Sequence, residues 1–437
     1  MRVESTPIRG LLAVALDVNA DARGWFKENW QREKMVAAGL PDFGPVQQNI
    51  SFNAEVGTIR GIHAEPWDKY VSIVSGRAFC AWVDLRAGDI FGETFWTELD
   101  PSKALFVPRG AATSSQVLGA GTTSSYWVNA HWQADATYAN VSLFDPALAI
   151  PWPLAPTNVS AKDESHLPLA QVQPMAPQRT VVIGAGGQLG TALRRVLPTA
   201  DFYDFPQIDL TRPETLEAND WAGVGTLINA AAYTNVDGAE TDEGRKLCWA
   251  INVGGVAALA KIAIERGLTF VNVSTDYVFD GTAEVHEVDE PVSPLGVYGQ
   301  SKAAGEAITA TVPKNYLVRT SWVVGEGANF VATMQRLARE GVNPDVVDDQ
   351  FGRLTTADEL AAGLVDLVEQ SAPFGIHHLT GRGPVESWAD IARRVFVEAG
   401  RDPADVTGIS TQQYADSRPA DRPSAPRPKF STLRLPD

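Results

Sequence analysis

Val181-Val182-Ile183-Gly184-Ala185-Gly186-Gly187-Gln188-Leu189-Gly190 is an apolar run that breaks into glycines and leads into a helix-forming stretch. The spacing predicts a buried strand, a tight turn and a helix. Gly184 permits the turn, Gly187 lets backbone approach a pyrophosphate, and Gly190 lets helix and strand pack closely. The helix start at Gln188 and Leu189 offers free N–H groups to phosphate. A glycine triplet alone is weak evidence, so the surrounding rhythm decides. Apolar runs at residues 180–183, 201–205, 226–229, 269–273 and 316–319 alternate with helical stretches such as 245–266. This is the pattern of βαβ units, a parallel sheet covered on both faces.

The C-terminal half is therefore expected to be an α/β Rossmann-type domain, doubly wound, over residues 179–437. Its last part forms a small substrate-binding region. Residues 1–165 read differently. Short β segments at 71–74, 78–83, 95–99, 105–107 and 124–128 are punctuated by turns such as Ser75-Gly76 and Ala87-Gly88-Asp89, the spacing of an all-β sandwich or barrel. Helical periodicity shows only around residues 30–38. Residues 166–178, proline-rich and without period, are expected to be a linker.

The chain has 437 residues and a net charge of -17, and acidic residues outnumber basic ones in both halves. Nucleic acid and anionic membranes are poor partners for such a surface. The apolar run 11–16 is far shorter than the roughly 18 residues of a membrane span, and no small-residue cleavage site follows it. The only two cysteines, Cys80 and Cys248, fall in different halves, which points to a reducing, cytoplasmic setting.

Tyr298-Gly299-Gln300-Ser301-Lys302 sets a phenol and an amine four apart on one helix face. Such a pair is usually just a solvated face. Beside a nicotinamide it has a use: the ammonium favours the phenolate, so Tyr298 can give a proton to a developing alkoxide, and Lys302 can also hold the ribose. Thr275, just past the predicted strand 269–273, lies where open α/β sheets bind ligands and can orient the carbonyl oxygen. Asp204, about 20 residues after Gly184, favours NAD through the ribose 2′-hydroxyl.

With these motifs in place, residues 179–429 resemble the dTDP-4-dehydrorhamnose reductases of the extended short-chain dehydrogenases. The match runs through INAAAYTNVDGAE (228–240), STDYVFDG (274–281), YGQSK (298–302), RTSW (319–322), Asn329-Phe330-Val331, Asp349-Gln350 and RPADRP (418–423). Leu354 replaces the family's usual proline. The resemblance implies Thr275, Tyr298 and Lys302 as catalytic residues, and Asp209, Ala230, Ala231 and Ala232 beside the cofactor. It implies Trp322, Arg418 and Arg422 on the nucleotide-sugar. The cofactor it implies is NADPH, with NADH a possibility, and the reaction is reduction of a C4 ketone.

The N-terminal half holds Thr58-Ile59-Arg60-Gly61-Ile62-His63 and Lys69. A lone histidine in a sandwich is more often structural than catalytic. Only His63 and Glu65 are locally available as ligands, so no metal site is expected. The segments IRGL (8–11), DARGWF (21–26), QNIS (48–51), VDLR (83–86), VPRG (107–110), Asp145-Pro146, Trp152-Pro153 and SAKD (160–163) resemble the dTDP-4-dehydrorhamnose 3,5-epimerases, metal-free cupin-like jelly rolls. The resemblance implies His63 backed by Asp163 as base, Lys69 on the enolate oxygen and Tyr126 as the acid on the opposite face. It places Arg23, Glu28, Gln48, Asn49 and Arg60 on the substrate. This sequence departs from the family at Thr113, Trp132 and Ala64-Glu65; the added carboxylate should weaken diphosphate binding.

The expected protein is a bifunctional homodimer acting on a dTDP-linked 4-keto-6-deoxysugar, epimerising C3 and C5 and then reducing C4. Two other readings stand beside it: a reductase with a non-catalytic binding or dimerisation module, and a nucleotide-sensing subunit.

Overall fold

The computed structural model describes residues 1–132, 136–419 and 422–435. The chain divides into two compact units, residues 1–177 and 178–437.

The first unit is built from two antiparallel sheets. One runs, in spatial order, Arg2–Ser5, Leu12–Ala15, Lys103–Val107, Lys69–Ser75, Thr122–Val128 and Gln47–Asn53. The other runs Ala139–Asn140, Ile59–Ala64, Ala111–Val117, Ala78–Asp84 and Thr94–Leu99. Consecutive strands cross between sheets: the turn at Gly76 carries the chain from Lys69–Ser75 in one to Ala78–Asp84 in the other. Ile73, Leu105 and Val107 of the first sheet share a core with Cys80, Trp82, Leu99 and Ala111 of the second. Ala78–Asp84 is buried along its whole length because the far side of its sheet is also covered, by Leu143, Leu148, Val172 and Met175.

That cover corrects the expected linker. Residues 166–177 are packed chain: Val172 and Met175 are buried, Met175 N–H donates to the Leu85 carbonyl at 2.7 Å, and Leu169 N–H donates to Asp145 at 2.6 Å. The prolines there interrupt periodicity without preventing burial.

The second unit is a six-stranded parallel sheet in the order Asp201–Tyr203, Arg179–Ile183, Val224–Asn229, Thr269–Thr275, Asn315–Thr320 and Gly375–His378. Side chains alternate along each strand. Val181 and Ile183 meet Leu259, Ala260 and Ala263 of the helix Val256–Arg266 on one face. Val182 turns to the other face, where Leu189 and Leu193 of the helix Gln188–Val196 pack with Leu360 and Leu364 of Ala357–Glu369. The helical run Asp242–Arg266 is long and apolar enough to cross a membrane, and its apolar side is this sheet cover. Arg179–Ile183 has later strands on both sides, so the sheet reverses direction of growth at its C-terminal end, where ligands enter such sheets.

Beside the end of Thr269–Thr275 lies a buried ion pair. Arg319 donates from Nη2 to Glu306 Oε2 at 2.8 Å, stacks over Phe279, and Glu306 also accepts from Ser274 Oγ at 2.6 Å. Removing the carboxylate leaves a buried guanidinium without a counter-charge, which costs about 3–5 kcal/mol. Glu306→Ala is therefore expected to lower the urea unfolding free energy of this unit by that amount; a loss below about 1 kcal/mol would contradict the pairing.

Candidate active sites

Each unit carries a cleft that gathers residues singled out from the sequence. In the second, a cavity of about 670 Å³ opens at the C-terminal end of Arg179–Ile183 and Thr269–Thr275. Its walls bring together Gly184, Gly187, Gln188, Leu189, Ala230, Ala231, Ala232, Thr275, Tyr298, Lys302 and Trp322, all singled out from the sequence. Gly184, at φ +92°, leaves room only for a hydrogen: a Cβ there would stand 2.6 Å from the Ala231 nitrogen. Gly190 lies outside the cavity wall; a Cβ on it would meet the Gly184 carbonyl oxygen at 2.1 Å, so it serves helix–strand packing.

The helix Val297–Thr309 turns Tyr298, half-buried, and Lys302, buried, to the cavity. Burial, reinforced by Asp276, raises the Tyr298 pKa, and the Thr275 hydroxyl lowers it in part. This corrects the expected electrostatics. The Lys302 ammonium is turned to the Val273 carbonyl at 2.6 Å, and burial brings its own pKa down to about 8. Tyr298 is thus held as a neutral phenol, the form that donates a proton. Thr275 Oγ1 donates to Asp276 Oδ1 at 2.8 Å; burial pushes that carboxyl up to about 6. Asp276 was not singled out from sequence, although it follows Thr275 directly. Trp322 stacks on Trp388 with ring centroids 3.7 Å apart, and both line the cavity.

Besides Gly190, three predicted residues stand outside these walls. Asp209 is engaged by its own turn, accepting from Thr211 N–H and Oγ1. Arg418 reaches Asp237 at 3.7 Å and stacks on Tyr414. Arg422 donates its backbone N–H to Pro419. Ala420 and Asp421 of the same segment lie outside the described residues. Asp204, by contrast, lines the cavity, and its Oδ2 accepts from Gly186 N–H at 2.6 Å.

In the first unit a cavity of about 360 Å³ lies between the two sheets. His63 and Arg60 come from Ile59–Ala64 of one sheet, Lys69 and Tyr126 from Lys69–Ser75 and Thr122–Val128 of the other, and Asp163 from a short Ser160-capped helix. Asp163 Oδ1 stands 2.7 Å from His63 Nε2, and its Oδ2 accepts from Gly61 N–H at 3.2 Å. A carboxylate only accepts, so Nε2 carries the proton and Nδ1 keeps the lone pair of a base. Base and phenol sit on opposite walls. Lys69 is in contact with Glu65, one of the residues that depart from the family pattern. Burial raises the Tyr126 pKa and Glu65 raises it further, while Arg60 opposes them.

Four residues expected on substrate do not line this cavity. Arg23 sits on the hairpin Val18–Asp21/Gly24–Lys27, paired with Asp21, and Glu28 pairs with Lys34. Gln48 faces the opposite side of its strand and donates to Ser125 Oγ. Asn49 accepts from Gln47. Thr113 lines the cavity, whereas Trp132 is exposed. A residue missed from sequence completes the neighbourhood: His166 Nε2 lies 4.0 Å from Asp163 Oδ1, behind the dyad and off the cavity wall.

Residues 178–435 match the family model described as RmlD substrate binding domain, and residues 5–171 match dTDP-4-dehydrorhamnose 3,5-epimerase. A Streptococcus pyogenes protein named Protein RmlC homolog is 45% identical over 183 residues, covering 40% of this chain and 92% of that protein. The dTDP-4-dehydrorhamnose reductase of Aggregatibacter actinomycetemcomitans is 41% identical over 236 residues, 51% of this chain and 79% of that one. The crystal structure of dTDP-4-dehydrorhamnose reductase from Bacillus anthracis in complex with NADP superposes with a TM-score of 0.54 at 32% identity, covering 60% of this chain and 91% of that chain. The chain therefore belongs through residues 178–435 to the dTDP-4-dehydrorhamnose reductase family and through residues 5–171 to the dTDP-4-dehydrorhamnose 3,5-epimerase family, the two joined in one polypeptide.

Proposed function

We propose that this protein makes dTDP-L-rhamnose from dTDP-4-dehydro-6-deoxyglucose in two steps, epimerisation at C3 and C5 in the first unit and reduction at C4 in the second. The observation that carries the reading is the pair of opposed walls in the first cleft, with His63–Asp163 on one and Tyr126 on the other. Inverting a carbon beside a ketone takes a base on one face and an acid on the other. His63 Nδ1 takes the proton from C3 or C5, each acidified by the C4 ketone. Lys69 faces the developing enolate oxygen, and Tyr126 returns a proton from across the ring. Asp163 holds the tautomer and stabilises the imidazolium.

In the second cleft the glycine loop and the N-terminus of Gln188–Val196 fit the pyrophosphate of a dinucleotide. When bound, the nicotinamide supplies hydride to the C4 carbon. Tyr298 gives its proton to the C4 oxygen, Thr275 orients that oxygen, and Lys302 holds ribose and adds positive charge nearby. NADPH is the cofactor we assign, by likeness to the NADP-bound relative. Asp204 at the cavity wall favours a 2′-hydroxyl over a 2′-phosphate, so NADH is the second substrate. In fold terms the units read as a cupin-like jelly roll and a Rossmann-type domain. We assign the protein to the cytoplasm, in keeping with its two free, buried thiols. We further infer a homodimer. Trp25, Phe26, Ile50 and Phe52 are exposed, Arg23 lies at the turn of the hairpin that carries Trp25 and Phe26, and Glu28 directly follows it, so a second copy seated there brings both residues to an interface.

The contact of Glu65 with Lys69 favours one other reading, a reductase whose first unit binds without chemistry. Incubation with dTDP-4-keto-6-deoxyglucose and NADPH separates the two. Cofactor oxidation without added epimerase is expected, and His63→Asn should slow it about 10²–10⁴-fold, the span of a lost general base. Oxidation that waits for a separate epimerase would leave only the reductase.

Two further outcomes concern the second cleft. Asp204→Ser should improve kcat/KM for NADPH relative to NADH by about tenfold, because it removes a like charge from the 2′-phosphate. Lys302 is charged below about 8, so kcat/KM for reduction of supplied dTDP-4-dehydrorhamnose should fall as pH rises through that value. Glu306→Gln should move the fall to lower pH, since Glu306 favours the ammonium.

A further inference from the structure

The geometry points to a divalent transition-metal site made by His63 Nε2, Asp163 Oδ1 and His166 Nε2, through which zinc switches off the base of the first cleft. One ligand atom from each of the three residues lies within 4.8 Å of the other two. His63 is 2.7 Å and His166 4.0 Å from the shared carboxylate oxygen, and the two imidazoles meet edge to face with centroids 5.2 Å apart. Zinc bound at about 2.0–2.1 Å sets tetrahedral ligands about 3.3 Å apart. The first distance must open and the second close, each by less than about 1 Å.

His166 is the independent sign of a ligand. Its side chain is 6% exposed, and neither ring nitrogen meets ordinary hydrogen-bond geometry, although the Gly61 backbone lies near enough to favour its protonated form. A buried imidazole normally has a partner. Burial and the neighbouring His63 lower its pKa, which favours the neutral form that can ligate. Two imidazoles and one carboxylate suit zinc and its first-row neighbours. The nearby Lys162 ammonium opposes a dication weakly, being exposed, while Asp163 supplies one full negative charge in a buried position.

The consequence follows from the tautomer. A neutral imidazole has one N–H and one lone pair. Metal on Nε2 takes the lone pair there and sends the proton to Nδ1, with no net proton released. Nδ1 then cannot accept a proton from carbon. Because the metal sits behind the dyad and His166 is not in the cavity wall, substrate still binds. Zinc is therefore expected to lower kcat and leave KM unchanged.

This inference rests on the epimerase reading for its effect on catalysis, but binding is measured separately. Full-length protein freed of metal by chelator is titrated with ZnCl2 by calorimetry and with Co2+ by visible absorption. Epimerisation is followed without NADPH, as solvent deuterium entering C3 and C5. Wild-type protein should bind one zinc at this site, show a Co2+ band, and lose exchange until EDTA restores it. His166→Gln and His166→Phe, checked for folding by circular dichroism, should keep metal-free exchange within about twofold. Both should lose the Co2+ band and need more than about tenfold more zinc for inhibition. Equal zinc affinity in wild type and both variants, or zinc-saturated wild type exchanging at the metal-free rate, overturns the proposal. Metal-free protein that does not exchange overturns the epimerase reading instead, and the calorimetric and Co2+ results still decide whether the site exists.

Discussion

Both clefts exist because backbone comes closer to backbone than any side chain allows. Gly184 lies against Ala230 and Ala231, which brings the loop after the strand Arg179–Ile183 onto the C-terminal end of Val224–Asn229. Gly61, at φ +121°, lies against Ser114, where a Cβ would stand 2.6 Å from the serine Cβ. Its N–H is thereby free to reach Asp163, and His63 two residues on meets the other oxygen of the same carboxylate. A substitution at either glycine would displace the reacting groups as well as strain the turn. The architecture around each cleft is layered on those contacts.

The clefts solve their electrostatics differently. In the first, polar groups are partnered at close range: Asp163 with the His63 imidazole, Glu65 with the Lys69 ammonium, and Arg60 Nε with the Asn53 side-chain oxygen. In the second, burial dominates. Tyr298 and Asp276 rise and Lys302 falls, all chiefly from desolvation, and all three are pushed toward neutrality. Such a site favours proton transfer between neutral partners, with charge arriving only as the reaction develops. The Glu306–Arg319 pair keeps one strong charge pair packed beside the end of the strand that carries Thr275.

How much of this was legible in the sequence depends on whether a residue's role is local. The glycine loop, the strand-helix alternation and the pair Tyr298 and Lys302 are written in short spacings, and these elements lie within a few residues of where those spacings put them. The strand of His63 carries no alternating apolar pattern: Ile59, Gly61, Ile62 and Ala64 are all buried, because both faces of that sheet are covered. His166 was invisible for another reason. Its neighbours, His63 and Asp163, are about 100 residues apart in sequence, and only the packing of residues 166–177 onto the sheet unites them. Asp209, Arg418 and Gln48 were assigned by motif, and each is held by a nearby polar partner that no motif encodes.

The indoles of Trp322 and Trp388, stacked at 3.7 Å in the wall that also holds Lys302, give the reductase cleft an optical signature of its own. Two rings that close share excitation, and their emission follows the polarity of the space they border. Of the chain's 12 tryptophans, this pair borders the second cavity, so occupancy there can be followed as a change in ultraviolet fluorescence with no label attached.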